Sequence, residues 1–300
     1  MPDLTGLWAT TVTPFGSDGS VDLDAIRAHV SFLVANGVER LVPAGNTGEF
    51  SSLTAGEVVA VTRATRDAAP DALVVAGVGG ALPAALELTA SALAAGADGV
   101  MVHHPSHTHV GRRGLEEYYR LLAAAAGGRA FLYKRTHRLP DDVVVALARE
   151  GAVWGVKYAL NDLVAFQHAL ERAPDSVWLC GTAELWAPFF HLLGARGFTS
   201  GLVNAAPCLP VALQAALDEG DLAGAMALRG LARDFEELRA EDDAAKNVPA
   251  VRSAMALAGF PAGPPRPPLA LLEQADERRV AAVWAQWRAH GVAGVRAVAG

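Results

Sequence analysis

A lysine stands near the end of an apolar run. AVWGVKYALND, residues 152–162, places Lys157 after Val153, Trp154 and Val156. A buried amine is costly unless it is paired or neutral. Partial desolvation lowers an amine's pKa toward the range where it is a nucleophile. Such a lysine attacks a ketone to form a Schiff base, an electron sink for breaking a neighbouring bond. The alternative is a strand-end lysine whose stem lies on apolar surface and whose charge reaches water. Tyr133, in AFLYK (130–134), is the second candidate. A phenol can donate and accept the protons that carbinolamine formation and dehydration move, or it can be a buried ring with its hydroxyl satisfied at the rim. The third is GNTGE (45–49), where two glycines let backbone N–H groups converge and Thr47 adds a hydroxyl. That suits a carboxylate, although a plain strand-to-helix turn reads the same way. Four histidines, His103, His104, His107 and His109, crowd HHPSHTH (103–109). Zinc, a substrate or subunit contact, and a surface loop are the three readings. No acidic residue accompanies them, and no metal site is assigned. An imidazole titrating at His107 would make activity fall below about pH 6.5.

These residues must be held by a scaffold, and the pattern supplies one. Short strand-like runs fall at 7–12, 40–44, 73–78, 99–103, 130–134, 153–158, 176–180 and 198–203. Helical patterns fall between and after them, near 22–36, 54–69, 82–95, 112–126, 141–150, 161–173, 184–194 and 207–218. Asp22, Thr54, Asp141 and Asn161 serve as caps or first-turn acids, and Gly37, Gly96, Gly127 and Gly194 as stops. Strict alternation predicts a parallel sheet, and eight units predict closure into a (β/α)₈ barrel. The competitor is a doubly wound open sheet, but no dinucleotide fingerprint follows the first strand. Active sites of such barrels gather at the C-terminal strand ends, where the candidates above fall. Strand alternation then turns Lys157, Gly155 and Val153 inward, and Trp154, Val156 and Tyr158 toward the helices.

After residue 220 the strand signal stops, and three helices are predicted at 221–240, 244–258 and 272–289. The chain is read as a barrel over 1–219 followed by a C-terminal helical extension over 220–300 that packs on it. GFPAGPPRPPLA (259–270) reads as a rigid loop between the last two helices. The chain is 300 residues long and 52% hydrophobic, enough for a large core. The formal charge of −7 is spread along the chain without a basic stripe, which argues against nucleic acid. Two cysteines, Cys180 and Cys208, make no disulfide framework. The N-terminal stretch lacks the pattern of a signal peptide, and no run reaches membrane length. A cytoplasmic location, with no membrane partner, is the expectation.

Taken together and in order, GNTGEFSSLT (45–54), FLYKR (131–135) and GVKYALND (155–162) resemble the dihydrodipicolinate synthase / N-acetylneuraminate lyase family. Its members are class I aldolases and dehydratases on (β/α)₈ barrels. CGTAELWAPFFHLLGARGFTSGLVN (180–204) and NVPAVRSAMALAGF (247–260) resemble further family segments, so the likeness spans nearly the whole chain. It implies an imine between Lys157 and a 2-oxo acid, and proton shuttling by Tyr133. It implies a carboxylate loop at Asn46, Thr47 and Gly48, with Gly181, Thr199 and Ser200 lining the remainder. It implies no metal or organic cofactor, and a homo-oligomer, dimer or tetramer. Departures bear on the substrate. Asn46 stands where the synthases carry a second Thr, and His107 falls where they place a Tyr from the partner subunit. The synthases' proton relay would thus become one of Asn46, His107 and Tyr133. Arg138, or Arg135 in its place, could meet a distal carboxylate. The implied activity is carbon–carbon or carbon–oxygen cleavage of a 2-oxo acid. The alternative is a dehydratase of a keto-deoxy sugar acid such as 5-dehydro-4-deoxyglucarate, ahead of a true dihydrodipicolinate synthase or a non-catalytic binding barrel. A phosphate-binding barrel ranks last, because CGTAE and SGLVN make poor phosphate turns.

Overall fold

The computed structural model describes residues 2–292. Eight parallel strands close into a barrel in sequence order, with the eighth pairing to the first. They are β1 (Gly6–Thr10), β2 (Arg40–Val42), β3 (Leu73–Val78), β4 (Gly99–Val102), β5 (Ala130–Lys134), β6 (Gly155–Tyr158), β7 (Val177–Cys180) and β8 (Gly197–Ser200). A helix follows each one: α1 (Leu23–Ala35), α2 (Ala55–Ala68), α3 (Leu82–Ala94), α4 (Arg112–Ala125), α5 (Asp141–Arg149), α6 (Leu163–Arg172), α7 (Ala183–Leu192) and α8 (Cys208–Asp218). The ends are set by local chemistry. Asp22 caps α1 by accepting from the Ala25 N–H, and Thr54 with Glu57 forms a capping box on α2. Gly37, Gly96, Gly127 and Gly194 all take positive φ after their helices, the conformation that only glycine adopts freely. At α6 the cap is Asp162, one residue beyond the expected Asn161, because its carboxylate reaches the Ala165 N–H.

Side-chain alternation divides the barrel wall into two cores. Inside, Leu4, Trp8, Val42, Val75, Met101, Phe131 and Leu179 pack together, with Trp8 edge-on to Phe131 at 5.1 Å between ring centroids. Outside, Val156, Tyr158, Phe166, Trp178 and Phe190 belong to the layer between barrel and helices. β6 obeys the expected phase over its own length but not before it. Val153 lies in the outer layer, and Trp154 packs toward the inside, 6.3 Å from the Phe131 ring. The strand begins only at Gly155, so alternation does not extend back to these two residues. Gly99 accommodates the indole, since a Cβ there would sit 2.5 Å from Trp154.

Three further helices follow: α9 (Leu222–Ala244), α10 (Asn247–Leu257) and α11 (Gln274–Ala289). Residues 293–300, part of the expected extension, lie outside the described residues. α9 packs on α7 and α8. A third core joins Phe235, Met255 and Trp287 of these helices to Val12, Leu202 and Leu209 at the barrel's end. α9 is broken at Glu241–Asp243, where Asp242 and Asp243 have φ of 54° and 55°. The loop between α10 and α11 is tied to the barrel mouth. Arg266 pairs with Glu57 at 2.6 Å and donates to Gly19 and Ser52 carbonyls. No helix among the described residues is long and apolar enough to cross a membrane.

Candidate active site

A cavity of about 500 Å³ opens at the C-terminal ends of the strands, and Lys157 projects into it. The lysine is 4% exposed. It makes no hydrogen bond or ion pair among the described residues, and the centroid of the Tyr133 ring lies 4.3 Å from Nζ. Tyr133 stands directly opposite Lys157 in the β5–β6 register, which explains the pairing. Burial comes first among the causes that pull the lysine down to about 7, and the positive charge of Arg135 and, more weakly, that of Arg239 add to it. The neutral form of the amine is therefore far better populated near physiological pH than in an ordinary lysine, and more so as pH rises.

The Tyr133 hydroxyl accepts a hydrogen bond from Asn46 Nδ2 at 2.9 Å. Burial raises the phenol's pKa, opposed by Arg135, so it stays protonated in the ordinary range. Asn46 and Thr47 come from the loop after β2, which is pressed into the mouth. A Cβ on Gly45 would meet Thr10 Cγ2 at 2.4 Å, and one on Gly48 the Thr11 carbonyl at 2.7 Å. Thr13 Oγ1 donates to the Gly48 carbonyl at 2.7 Å. The loop's acid is an anchor: Glu49, buried and at φ 59°, accepts from Arg252 Nε at 2.9 Å. Arg252 also donates to the Thr13 carbonyl at 2.7 Å. Two segments quoted for the family likeness, GNTGE and NVPAVRSAMALAGF, are thus bonded to each other. Thr47, Gly181, Thr199 and Ser200 line the cavity with Lys157 and Tyr133. Gly181 N–H donates to the Tyr158 carbonyl at 2.6 Å. The Ser200 hydroxyl is already engaged, donating to Glu184 Oε1 and accepting from the Val203 N–H at 2.9 Å. Gly48 shapes the loop without lining the cavity.

The histidines diverge. His103 is buried, stacked on Phe50 at 4.2 Å between centroids and edge-on to Tyr133 at 5.7 Å. Its Nε2 donates to the Ala44 carbonyl at 3.2 Å, and burial pulls its pKa down to about 3, so it is a neutral wall of the site. His104 is half-buried beside the Tyr119 hydroxyl. His107 and His109 are exposed, and His107 Nδ1 accepts from the His109 N–H at 3.1 Å. Among the described residues no three His, Cys, Asp or Glu side chains gather to hold a metal. Within one chain, His107 lies outside the cavity of Lys157. Arg138 also stays outside, its Nη2 donating to the Thr108 carbonyl, on the side of a neighbouring groove that it lines with His104. Arg135 lies at the lip between groove and cavity.

Several cavity residues went unread in the sequence. Glu236 and Arg239 of α9 and Asn247 of α10 all line it. They sit beyond the barrel on helices whose charged residues look like a solvated face. The buried Glu184, pushed up to about 8 by desolvation and by the neighbouring Glu236, lies behind Ser200.

An eight-stranded parallel barrel with a desolvated amine at its C-terminal mouth is the architecture of a barrel enzyme. More specifically, the model of the Dihydrodipicolinate synthetase family matches residues 3–286, and the chain belongs to that family. The chain is 36% identical over 267 residues to 4-hydroxy-tetrahydrodipicolinate synthase 1 of Streptomyces coelicolor, covering 86% of each chain. It is 34% identical over 278 residues to a probable 5-dehydro-4-deoxyglucarate dehydratase of Streptomyces griseus, covering 89% of this chain and 87% of that one. The crystal structure of dihydrodipicolinate synthase from Oceanobacillus iheyensis superposes with a TM-score of 0.91 at 36% identity, covering 95% of this chain and 96% of that one. The protein is an enzyme of this lyase family.

Proposed function

We propose that the protein is a Schiff-base lyase that cleaves a carbon–carbon or carbon–oxygen bond of a 2-oxo acid through an imine on Lys157. The observation that carries this reading is the Lys157 amine. It is buried, free of ion pairs among the described residues, pulled down to about 7, and set against Tyr133. In its neutral form the amine attacks the 2-oxo carbon, giving a carbinolamine. Loss of water gives the iminium, which accepts the electron pair of the adjacent carbon–carbon bond in an aldol cleavage. In a dehydration it accepts the pair of the adjacent C–H bond as the proton leaves to a base, and the resulting enamine expels the hydroxyl group of the next carbon, protonated to water. Tyr133, oriented by Asn46, carries protons to and from the carbinolamine oxygen. The loop at Asn46, Thr47 and Gly48 holds the substrate carboxylate through N–H and hydroxyl donors, while Gly181, Thr199 and Ser200 line the chain of the substrate. The lysine is itself the electron sink, so the reading calls for no metal or organic cofactor. A homo-oligomer, in which a second copy brings residues such as His107 toward the groove, and a cytoplasmic setting complete it.

Within this reading, dehydration of a keto-deoxy sugar acid is favoured over dihydrodipicolinate synthesis. Asn46 bonds the catalytic tyrosine where the synthases present a hydroxyl, which supports this choice, while relatives of similar identity are named both as synthase and as dehydratase. A non-catalytic 2-oxo-acid-binding barrel is the remaining reading. Pyruvate incubated with the protein in deuterated buffer separates them. Lyase chemistry predicts exchange of the methyl protons through the enamine, lost in Lys157→Ala. Pyruvate binding without any exchange would contradict it.

A further inference from the structure

Part of the cavity wall is built by the C-terminal extension. Arg239, 4% exposed, sits on α9 just before its break. Its Nη1 donates to Glu236, its Nη2 to Asn247 Oδ1 at 2.9 Å, and its Nε has no partner among the described residues. The break at Glu241–Asp243 turns the chain so that Asn247, the first residue of α10, returns to the guanidinium. Gly201 makes the space for it. A Cβ at Gly201 would lie 2.4 Å from Arg239 Nη2 and 3.1 Å from Thr47 Oγ1. The guanidinium and the Thr47 hydroxyl therefore face one another across the gap that this glycine leaves.

A purely structural ion pair would close on itself, because a buried donor without an acceptor is costly. Here the guanidinium of Arg239 and the carboxylate of Glu236 both line a polar cavity, while the Arg239 Nε is buried behind its wall without a partner among the described residues. Donors and acceptors side by side match a chain that bears hydroxyls. An apolar or short substrate would leave them unpaired, the condition under which polar sites discriminate most strongly. Resting on the imine reading above, we propose that Arg239 and Glu236 are the recognition pair for the hydroxylated far end of a keto-deoxy sugar acid, so that the extension selects among 2-oxo acids while the barrel does the chemistry.

The test compares wild type with Arg239→Gln and Gly201→Ala, the second of which leaves the guanidinium present but displaces it. For each, kcat/KM is measured with 5-dehydro-4-deoxyglucarate and with 2-keto-3-deoxygluconate, alongside the rate at which borohydride traps pyruvate on Lys157. In both variants the ratio of sugar-acid turnover to pyruvate trapping falls about 10- to 100-fold, chiefly through KM. Should Arg239→Gln fail to fold, Gly201→Ala decides. An unchanged ratio, with both activities reduced alike, would mean that Arg239 serves the carboxylate loop or Lys157 instead and would overturn the proposal. Wild-type protein that turns over neither sugar acid would overturn it too. If pyruvate still forms its adduct in that case, the imine reading survives alone; if it does not, both fall.

Discussion

The two faces of the barrel wall each bury a lysine, on neighbouring strands, and treat it in opposite ways. Lys134, the last residue of β5, points outward and is 1% exposed; Lys157 of β6 points inward and is 4% exposed. Burial alone does not distinguish them. The outer lysine is partnered: Nζ donates to the Leu139 carbonyl at 2.6 Å, lies 3.1 Å from Asp141 and sits over the Tyr158 ring at 5.5 Å. The inner lysine has no hydrogen bond or ion pair among the described residues and lies over the face of Tyr133, with the charges of Arg135 and Arg239 nearby. A charge buried with a carboxylate and a carbonyl acts as a structural tie. An amine buried with other positive charges is driven neutral, and its lone pair is left free to react.

This contrast can be broken in order of effect. Lys157→Ala abolishes turnover, by at least about 10⁴-fold, with the fold retained by circular dichroism. Tyr133→Phe comes next, with kcat lowered about 10²- to 10³-fold in steady-state assays because proton transfer to the carbinolamine is impaired. Arg135→Gln has a milder effect. With that positive charge gone, the Lys157 pKa rises, so the rate of borohydride trapping, which climbs with pH through about 7 in the wild type, climbs at higher pH. Lys134→Met shows the least on activity: the rate per folded molecule stays at the wild-type level. Its cost appears in denaturant melts, as about 1–3 kcal/mol from the stranded Leu139 carbonyl and Asp141. Equal kinetic damage at both lysines would erase the distinction.

The barrel was legible because each βα unit announces itself twice, by a β-branched run and by its cap or glycine stop. The phase of Lys157 followed from the alternation of Val156 and Tyr158, both of which face the helices. Alternation failed at Val153 and Trp154, where the strand has not begun. What local pattern could not carry was long-range pairing. Nothing around Glu49 or Arg252 shows that they meet across 203 positions of sequence. Nor does EELRAEDDAAKN (236–247) show that Glu236, Arg239 and Asn247 turn into the cavity, since the break in α9 that brings Asn247 back depends on tertiary packing. His107 and Arg138 were singled out by residue type and alignment alone. Their exposed loops place both outside the cavity of their own chain.

The most direct measurement is peptide mapping after reduction of the protein with borohydride in the presence of pyruvate. A single adduct on the peptide carrying Lys157, none on that carrying Lys134, and a yield that rises as pH passes through about 7 are what the account predicts. No adduct with pyruvate or any other 2-oxo acid, or labelling of a different lysine, would contradict it.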